Sequence, residues 1–153
     1  HNCAAVHFIE ADNSSYLCSN RKDSTYIYMK NIAETYWKRK KMPIPHLLLS
    51  DYEGRNVWSH KGIVHWRGMN ICMVTDGYWR NKSATNLLDI DYMYLCKGYK
   101  GEIAPLQKLF HIKRIVLDAS LGDYKSKAYK EECKTLGLDY IDISEKGSFR
   151  ILL

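Results

Sequence analysis

Apolar and polar positions alternate at the start of the chain. The run Ala5-Val6-His7-Phe8-Ile9 predicts a strand over 4–10, and a second follows over 15–19. The tetrad Ala11-Asp12-Asn13-Ser14 between them is rich in turn formers. The period then changes. Met29, Ile32, Ala33, Tyr36 and Trp37 fall at i, i+3, i+4, i+7 and i+8, the stripe of an amphipathic helix. Asp23 or Ser24 is placed to cap that helix, and Pro43 and Pro45 force its end. Strands are expected next over 46–50, 56–59, 63–66 and 69–75. Gly54, Lys61-Gly62 and Arg67-Gly68 break them, the last as a tight hairpin, and Asp76-Gly77 closes the run.

The second half alternates differently. A compact apolar strand over 91–96 leads into the loop Lys97-Gly98-Tyr99-Lys100-Gly101. A short helix over 103–110 tolerates Pro105 in its first turn. A buried strand over 114–117 precedes a helix over 123–136 that stops at Gly137. Strands over 138–143 and 149–153 close the domain around Lys146-Gly147. Strand, helix, strand, helix, strand makes parallel pairs with right-handed crossovers, whereas the first half reads as hairpins. The expected fold class is α/β, with mixed β-sheets and helices layered on their faces.

Composition narrows this little. At 153 residues, one domain with its own core is expected. Hydrophobic residues at 46% and charged residues at 26% exclude a disordered chain. The chain opens on His1, straight into an alternating run, so removal of an upstream part is expected. Apolar stretches stay as short as Leu47-Leu48-Leu49, and none spans a bilayer. A net charge of +6 either leans toward polyanions or merely aids solubility. Of Cys3, Cys18, Cys72, Cys96 and Cys133, three lie inside apolar runs and read as buried thiols; Cys3 and Cys18 flank the first hairpin and leave a disulfide open.

Candidate chemistry is sparse. His1, His7, His46, His60, His65 and His111 form no short-spaced chelating pair. No G-x-S-x-G elbow is present, and Cys96 beside Lys97 reads as a core thiol before a nucleophile. Asp89-Ile90-Asp91 puts two acids on one face of an expected strand, a pattern of solvation or capping. Two basic features remain. Lys38-Arg39-Lys40-Lys41 ends the first helix, where cations offset the helix dipole or grip phosphate, with Tyr36 and Trp37 nearby. Lys97-Gly98-Tyr99-Lys100-Gly101 lies between a strand's carboxyl end and a helix start, where α/β sheets bind ligands and anions.

Read as a whole, the order of elements carries more. Ile71-Cys72-Met73-Val74-Thr75-Asp76 is a strand ending in an acid; Ile90 to Gly98 is a strand ending in Lys97-Gly98; Ile115-Val116-Leu117-Asp118-Ala119-Ser120 is a third. The helix to Leu136 and the segment Gly137 to Phe149 complete the series. This order resembles the carboxy-terminal metallo-β-lactamase-like domain of ComEC-type competence proteins, membrane proteins of DNA uptake. It looks closest to the divergent Bacteroides-like form that lacks its metal ligands. The resemblance covers the second half well and the first loosely. It implies a reduced, degenerate αββα-type layering. It places Asp76 at the metal-bridging acid, Lys97 where a ligand histidine would stand and Gly98 at the glycine after it; Asp118 joins Asp76 in a vestigial site. The H-x-H-x-D-H signature is absent, and an ammonium is no substitute for imidazole as a ligand.

The expectation is therefore a single-domain, soluble carboxy-terminal fragment without catalytic residues, metal or cofactor, on the extracytoplasmic (periplasmic) face of the inner membrane. It would be structural, or bind single-stranded DNA weakly through Lys97, Gly98, Lys100, Lys38, Arg39, Lys40 and Lys41. Its other expected partner is the transmembrane portion of the same protein. The rival expectations are a metal-dependent nuclease or hydrolase of the metallo-β-lactamase type, and a module that packs on the membrane part or on a second subunit.

Overall fold

The computed structural model describes residues 4–19, 24–48 and 51–152. The alternating start of the chain forms β1 (Ala5–Ile9) and β2 (Ser15–Ser19), paired antiparallel. Asn13, at φ 66°, turns the chain between them, and Asp12 Oδ1 accepts from the Ser14 N–H at 2.9 Å. Helix α1 (Ser24–Arg39) crosses to β3 (His46–Leu48), which lies parallel to β2. The helix ends just before Pro43 and Pro45, as their fixed φ requires. Asp23, one of the two expected caps, and Cys3 lie outside the described residues.

Four antiparallel strands follow: β4 (Tyr52–Glu53), β5 (Val57–His60), β6 (Ile63–Trp66) and β7 (Met69–Val74). Both hairpins around β6 close through two residues of positive φ, Lys61-Gly62 and Arg67-Gly68. That geometry matches the twist of the flanking strands and explains glycine at the second position. Strands β8 (Leu88–Ile90), β9 (Tyr92–Leu95), β10 (Phe110–Ile112), β11 (Arg114–Leu117) and β12 (Asp139–Asp142) complete the sheets, with helix α2 (Asp123–Leu136) before β12 and the one-turn α3 (Ile143–Lys146) after it. β7, β9, β11 and β12 run parallel, so the large sheet has the order β12-β11-β9-β7-β6-β5-β4. β8 and β10 form a separate parallel pair.

The hydrophobic pattern decides the layers. Phe8, Cys18 and Leu48 of the small sheet pack on Val64, Trp66, Ile71 and Met73 of the large one. The other face of the large sheet turns Cys72, Val74, Met93, Leu95, Ile115 and Leu117 toward Tyr129 and Cys133 of α2. Each such side chain contributes about 1.5–3 kcal/mol by leaving water. On the outer side of the small sheet, Trp37 of α1 is buried and meets the His7 ring edge-on, with centroids 6.2 Å apart. From one outer surface to the other, the order is α1, small sheet, large sheet, α2. The α/β class with mixed sheets and flanking helices is the observed architecture.

Several expectations fail locally. Residues 148–152 carry no strand; Phe149 meets the Tyr92 ring at 5.6 Å and Ile151 packs on the inter-sheet core without a ladder. The cause is α3, which Asp142 caps through the Ser144 N–H at 2.8 Å and which turns the chain off the sheet. The helix expected over 103–110 is a 3-10 turn, Ala104–Lys108, because Phe110 is taken into β10. β4, β8 and β10 are too short to show a period. Asp89 and Asp91 do not share a strand face: Asp89 belongs to β8 and pairs with His111 at 2.9 Å, while Asp91 follows that strand and holds Lys113 at 2.6 Å.

Candidate functional site

The parallel strands end together, so the residues that follow them line up along one edge of the large sheet. Asp76 lies just beyond β7, Cys96-Lys97-Gly98 beyond β9, Asp118-Ala119-Ser120 beyond β11, and Asp142 ends β12. Hydrogen bonds tie these ends to one another. Asp118 is buried, and its Oδ2 accepts from the Tyr94 hydroxyl at 2.9 Å. Its Oδ1 accepts from the Ser120 N–H at 2.9 Å, and Ser120 Oγ in turn accepts from the Lys97 N–H at 3.1 Å. Burial and the neighbouring Asp118 push the Tyr94 phenol far above its ordinary value, so it remains a donor.

Gly98 is fixed by a close approach. Its φ is +115°, and a Cβ there would lie 2.3 Å from the Thr75 carbonyl oxygen. Only a residue without Cβ lets the loop after β9 touch the end of β7. Beyond it, the chain is clamped from below. The Tyr99 hydroxyl donates to Glu102 O at 2.7 Å, the Tyr129 hydroxyl to Gly101 O at 2.9 Å, and Lys125 Nζ to Gly101 O at 3.0 Å. Glu132 Oε1 accepts from the Ile103 and Ala104 N–H groups at 2.7 and 2.8 Å. Burial pushes the Tyr99 phenol up to about 12.

This rigid loop faces the start of α2 across a cleft of about 300 Å³, lined by Lys97, Gly98, Lys100, Leu121, Gly122 and Lys125 among others. Gly122 is the N-cap and supplies no side-chain cap, so the first N–H groups of α2 meet no capping oxygen from it. Three lysines and the positive end of a helix thus line one concavity, and Asp123 is the acid in the first turn of that helix. Anions are the ligands that such a field concentrates.

Of the residues singled out from sequence, Lys97, Gly98 and Lys100 come together in this cleft, and Asp76 and Asp118 lie on the same edge. Lys38, Arg39, Lys40 and Lys41 do not join them. They end α1 on the opposite outer layer, all exposed, with Lys38 held by Glu34 at 2.8 Å. Trp37 is buried and unavailable to stack on a base. Sequence reasoning missed Lys125, which reaches the loop across 24 residues of chain. It also missed Tyr78 and Trp79 after β7, where Lys82 Nζ lies 3.3 Å above the Tyr78 ring and Lys61 Nζ 5.5 Å from it. The signal was present: aromatic residues beside cations in Tyr78-Trp79-Arg80-Asn81-Lys82.

The donors at this edge do not fit a metal ion. Both Asp118 oxygens already accept protein hydrogen bonds, Asp76 Oδ1 accepts from the Tyr78 N–H at 2.8 Å, and the Cys96 thiol is fully buried. Among the described residues no group of three or more His, Cys, Asp or Glu side chains converges. A divalent ion needs several anionic or imidazole donors in one shell.

A layered α/β domain with a basic cleft at the carboxyl ends of its parallel strands is the class that fold and site define. The chain belongs to the family described as the ComEC C-terminal domain, whose model matches residues 1–153. It is accordingly a domain of a ComEC-type protein of competence and DNA uptake, a family of membrane proteins. No curated protein and no solved structure gives a significant match. Among the described residues no helix is long and apolar enough to cross a membrane.

Proposed function

We propose that this domain serves DNA uptake without catalysing a reaction, by holding the phosphates of single-stranded DNA at its carboxyl edge. The observation that carries the reading is the convergence of Lys97, Lys100 and Lys125 on one cleft at the start of α2. A lysine is a point charge for phosphate, and a preset loop lowers the entropy lost on binding. Tyr78 is 41% exposed beyond β7, and Lys82 over its ring adds a further cation for phosphate. The basic run from Lys38 to Lys41 lies on the other outer layer and adds only long-range attraction.

The layer order and the acids after β7 and β11 support descent from a metallo-β-lactamase-like ancestor that lost its ligands. In that reading Lys97 stands where a metal ion once met phosphate and supplies the positive charge itself. The domain would act on the periplasmic face of the inner membrane, against the transmembrane portion of its own protein.

Mobility of a labelled single strand at low salt tests the binding. A shift that fades as salt rises is expected, because phosphate contacts release counterions. Unchanged migration at low salt contradicts it. Elemental analysis, with a nuclease assay in manganese, tests the absence of catalysis: stoichiometric tightly held metal together with strand cleavage would overturn the proposal in favour of a metal-dependent nuclease.

A further inference from the structure

The opposite end of the large sheet carries a second, unrelated concavity. Trp58 and His65 are cross-strand partners on β5 and β6, on the face turned away from the small sheet. α2 packs over β11 and β12 and leaves this part of the face open. Trp58 is accordingly 39% exposed, large for an apolar ring. Its plane lies 14° from that of His65, with centroids 5.8 Å apart. Two turns rise beside the pair, one carrying Arg55 and the other Arg67, around a cleft of about 360 Å³. That lies within the range of roughly 300–1,000 Å³ for small-molecule sites. The turns sit where β5 and β7 begin, so the six residues of β7 separate this cleft from Lys97 by roughly 20 Å.

The polar groups here are preset. Asn70 Nδ2 donates to Asp89 O at 2.8 Å, which turns Asn70 Oδ1 toward His65 Nδ1 at 2.7 Å. Nδ1 is therefore the donor of that bond, and in the neutral ring Nε2 is the acceptor. Arg55 makes no hydrogen bond or ion pair among the described residues. The Arg67 guanidinium is turned to the other face of the sheet, 3.7 Å from Glu10 and 5.9 Å from the Trp66 ring centroid. Among the described residues that line the cleft there is no carboxylate, and the Glu10 carboxylate lies beside Arg67. The Arg55 guanidinium calls for an anion that accepts from planar donors, and phosphate fits it. An indole held flat beside an imidazole calls for a second planar ring.

We propose that this cleft is a nucleotide site, taking the phosphate of a nucleoside monophosphate on Arg55 and its base against Trp58, with the neutral His65 ring accepting at Nε2 from a hydroxyl or amino group. The site stands apart from the carboxyl edge and does not depend on DNA binding there.

Nitrogen-resolved NMR titration of the 153-residue chain tests it, reading the Trp58 indole and Arg55 guanidinium resonances. Both are expected to move with dAMP or dTMP, and at least tenfold more tightly than with deoxyribose 5-phosphate or the free nucleoside. Arg55→Gln and Trp58→Ala should each weaken the nucleotide about tenfold, Trp58→Phe much less. The shifts should survive in a Lys97→Gln/Lys100→Gln/Lys125→Gln variant. No movement of either resonance at millimolar nucleotide, equal affinity for the sugar phosphate or for the nucleoside, or loss of the shifts in the triple-lysine variant would each overturn the proposal.

Discussion

The Tyr94 hydroxyl donates to Asp118 Oδ2 at 2.9 Å, and that bond ties the strand leading to Lys97 to the strand leading to Ser120. Asp118 then holds the Ser120 N–H, and Ser120 Oγ holds the Lys97 N–H. The cleft is thus positioned by a short relay of hydrogen bonds on the strand side and by the Lys125 bond to Gly101 O on the helix side. Tyr94→Phe leaves a buried carboxylate oxygen without a donor. It should cost about 1–2 kcal/mol, read as a lower urea midpoint at unchanged slope. An unchanged midpoint would show that the relay does not matter.

Gly98→Ala is the sharper structural test. A methyl group 2.3 Å from Thr75 O forces the loop away from β7, and the positive φ adds strain of its own. A loss of about 1–3 kcal/mol is expected in urea unfolding. Gly122→Ala, where a Cβ meets nothing within 4 Å, is the matched control and should change little.

Asp142 links stability to pH. Burial alone would raise its carboxyl, but bonds from Lys130 at 2.6 Å and from Ser144 and Ser126 outweigh that and bring it to about 2. Its folded value lies below the ordinary 3.8, so its contribution is complete above 3.8 and is lost as pH falls toward 2. Asp142→Asn should therefore cost about 2 kcal/mol at neutral pH and progressively less in acid. Urea unfolding of both proteins at neutral and acid pH reads the difference. A deficit that persists below the folded value would contradict the assignment.

The described cysteines are predicted to be silent thiols. Cys18, Cys72, Cys96 and Cys133 are all buried, and burial pushes Cys18 and Cys72 up to about 12. The thiolate is the reactive form, so these four should not react with an aromatic disulfide reagent until the chain unfolds. Rapid modification of any of them in the native protein would show that the core opens.

Much of the fold is legible in the sequence, for reasons that differ by element. β6, β7, β9 and β11 are apolar runs closed by turn residues, and α2 ends on a glycine in the left-handed region, so local chemistry fixes them. β8 and β10 are three residues each and exist only because they meet one another. Phe149 to Leu152 has strand-like composition, but α3 turns it off the sheet edge, and no local signal outweighs that pattern. The cleft was half legible. Lys97 and Lys100 follow a strand end, where ligands gather, while Lys125 arrives through the crossover that packs α2 on the sheet. The run from Lys38 to Lys41 was the louder charge signal, yet it ends on the other outer layer.

That contrast gives a prediction of its own. Neutralising Lys38, Arg39, Lys40 and Lys41 together should weaken single-stranded DNA binding less than neutralising Lys97, Lys100 and Lys125, although it removes one more charge. Anisotropy of a labelled strand compares the two. The reverse order would move the binding surface to α1.

The most direct measurement is the salt dependence of that binding in the native chain and in the Lys97→Gln/Lys100→Gln/Lys125→Gln variant. Each phosphate contact on a single strand contributes a slope of about −0.7 in log affinity against log salt. Losing three contacts should flatten the slope by roughly 2 and weaken binding at low salt. An identical slope and affinity in the two proteins would contradict a phosphate-holding cleft at the carboxyl edge.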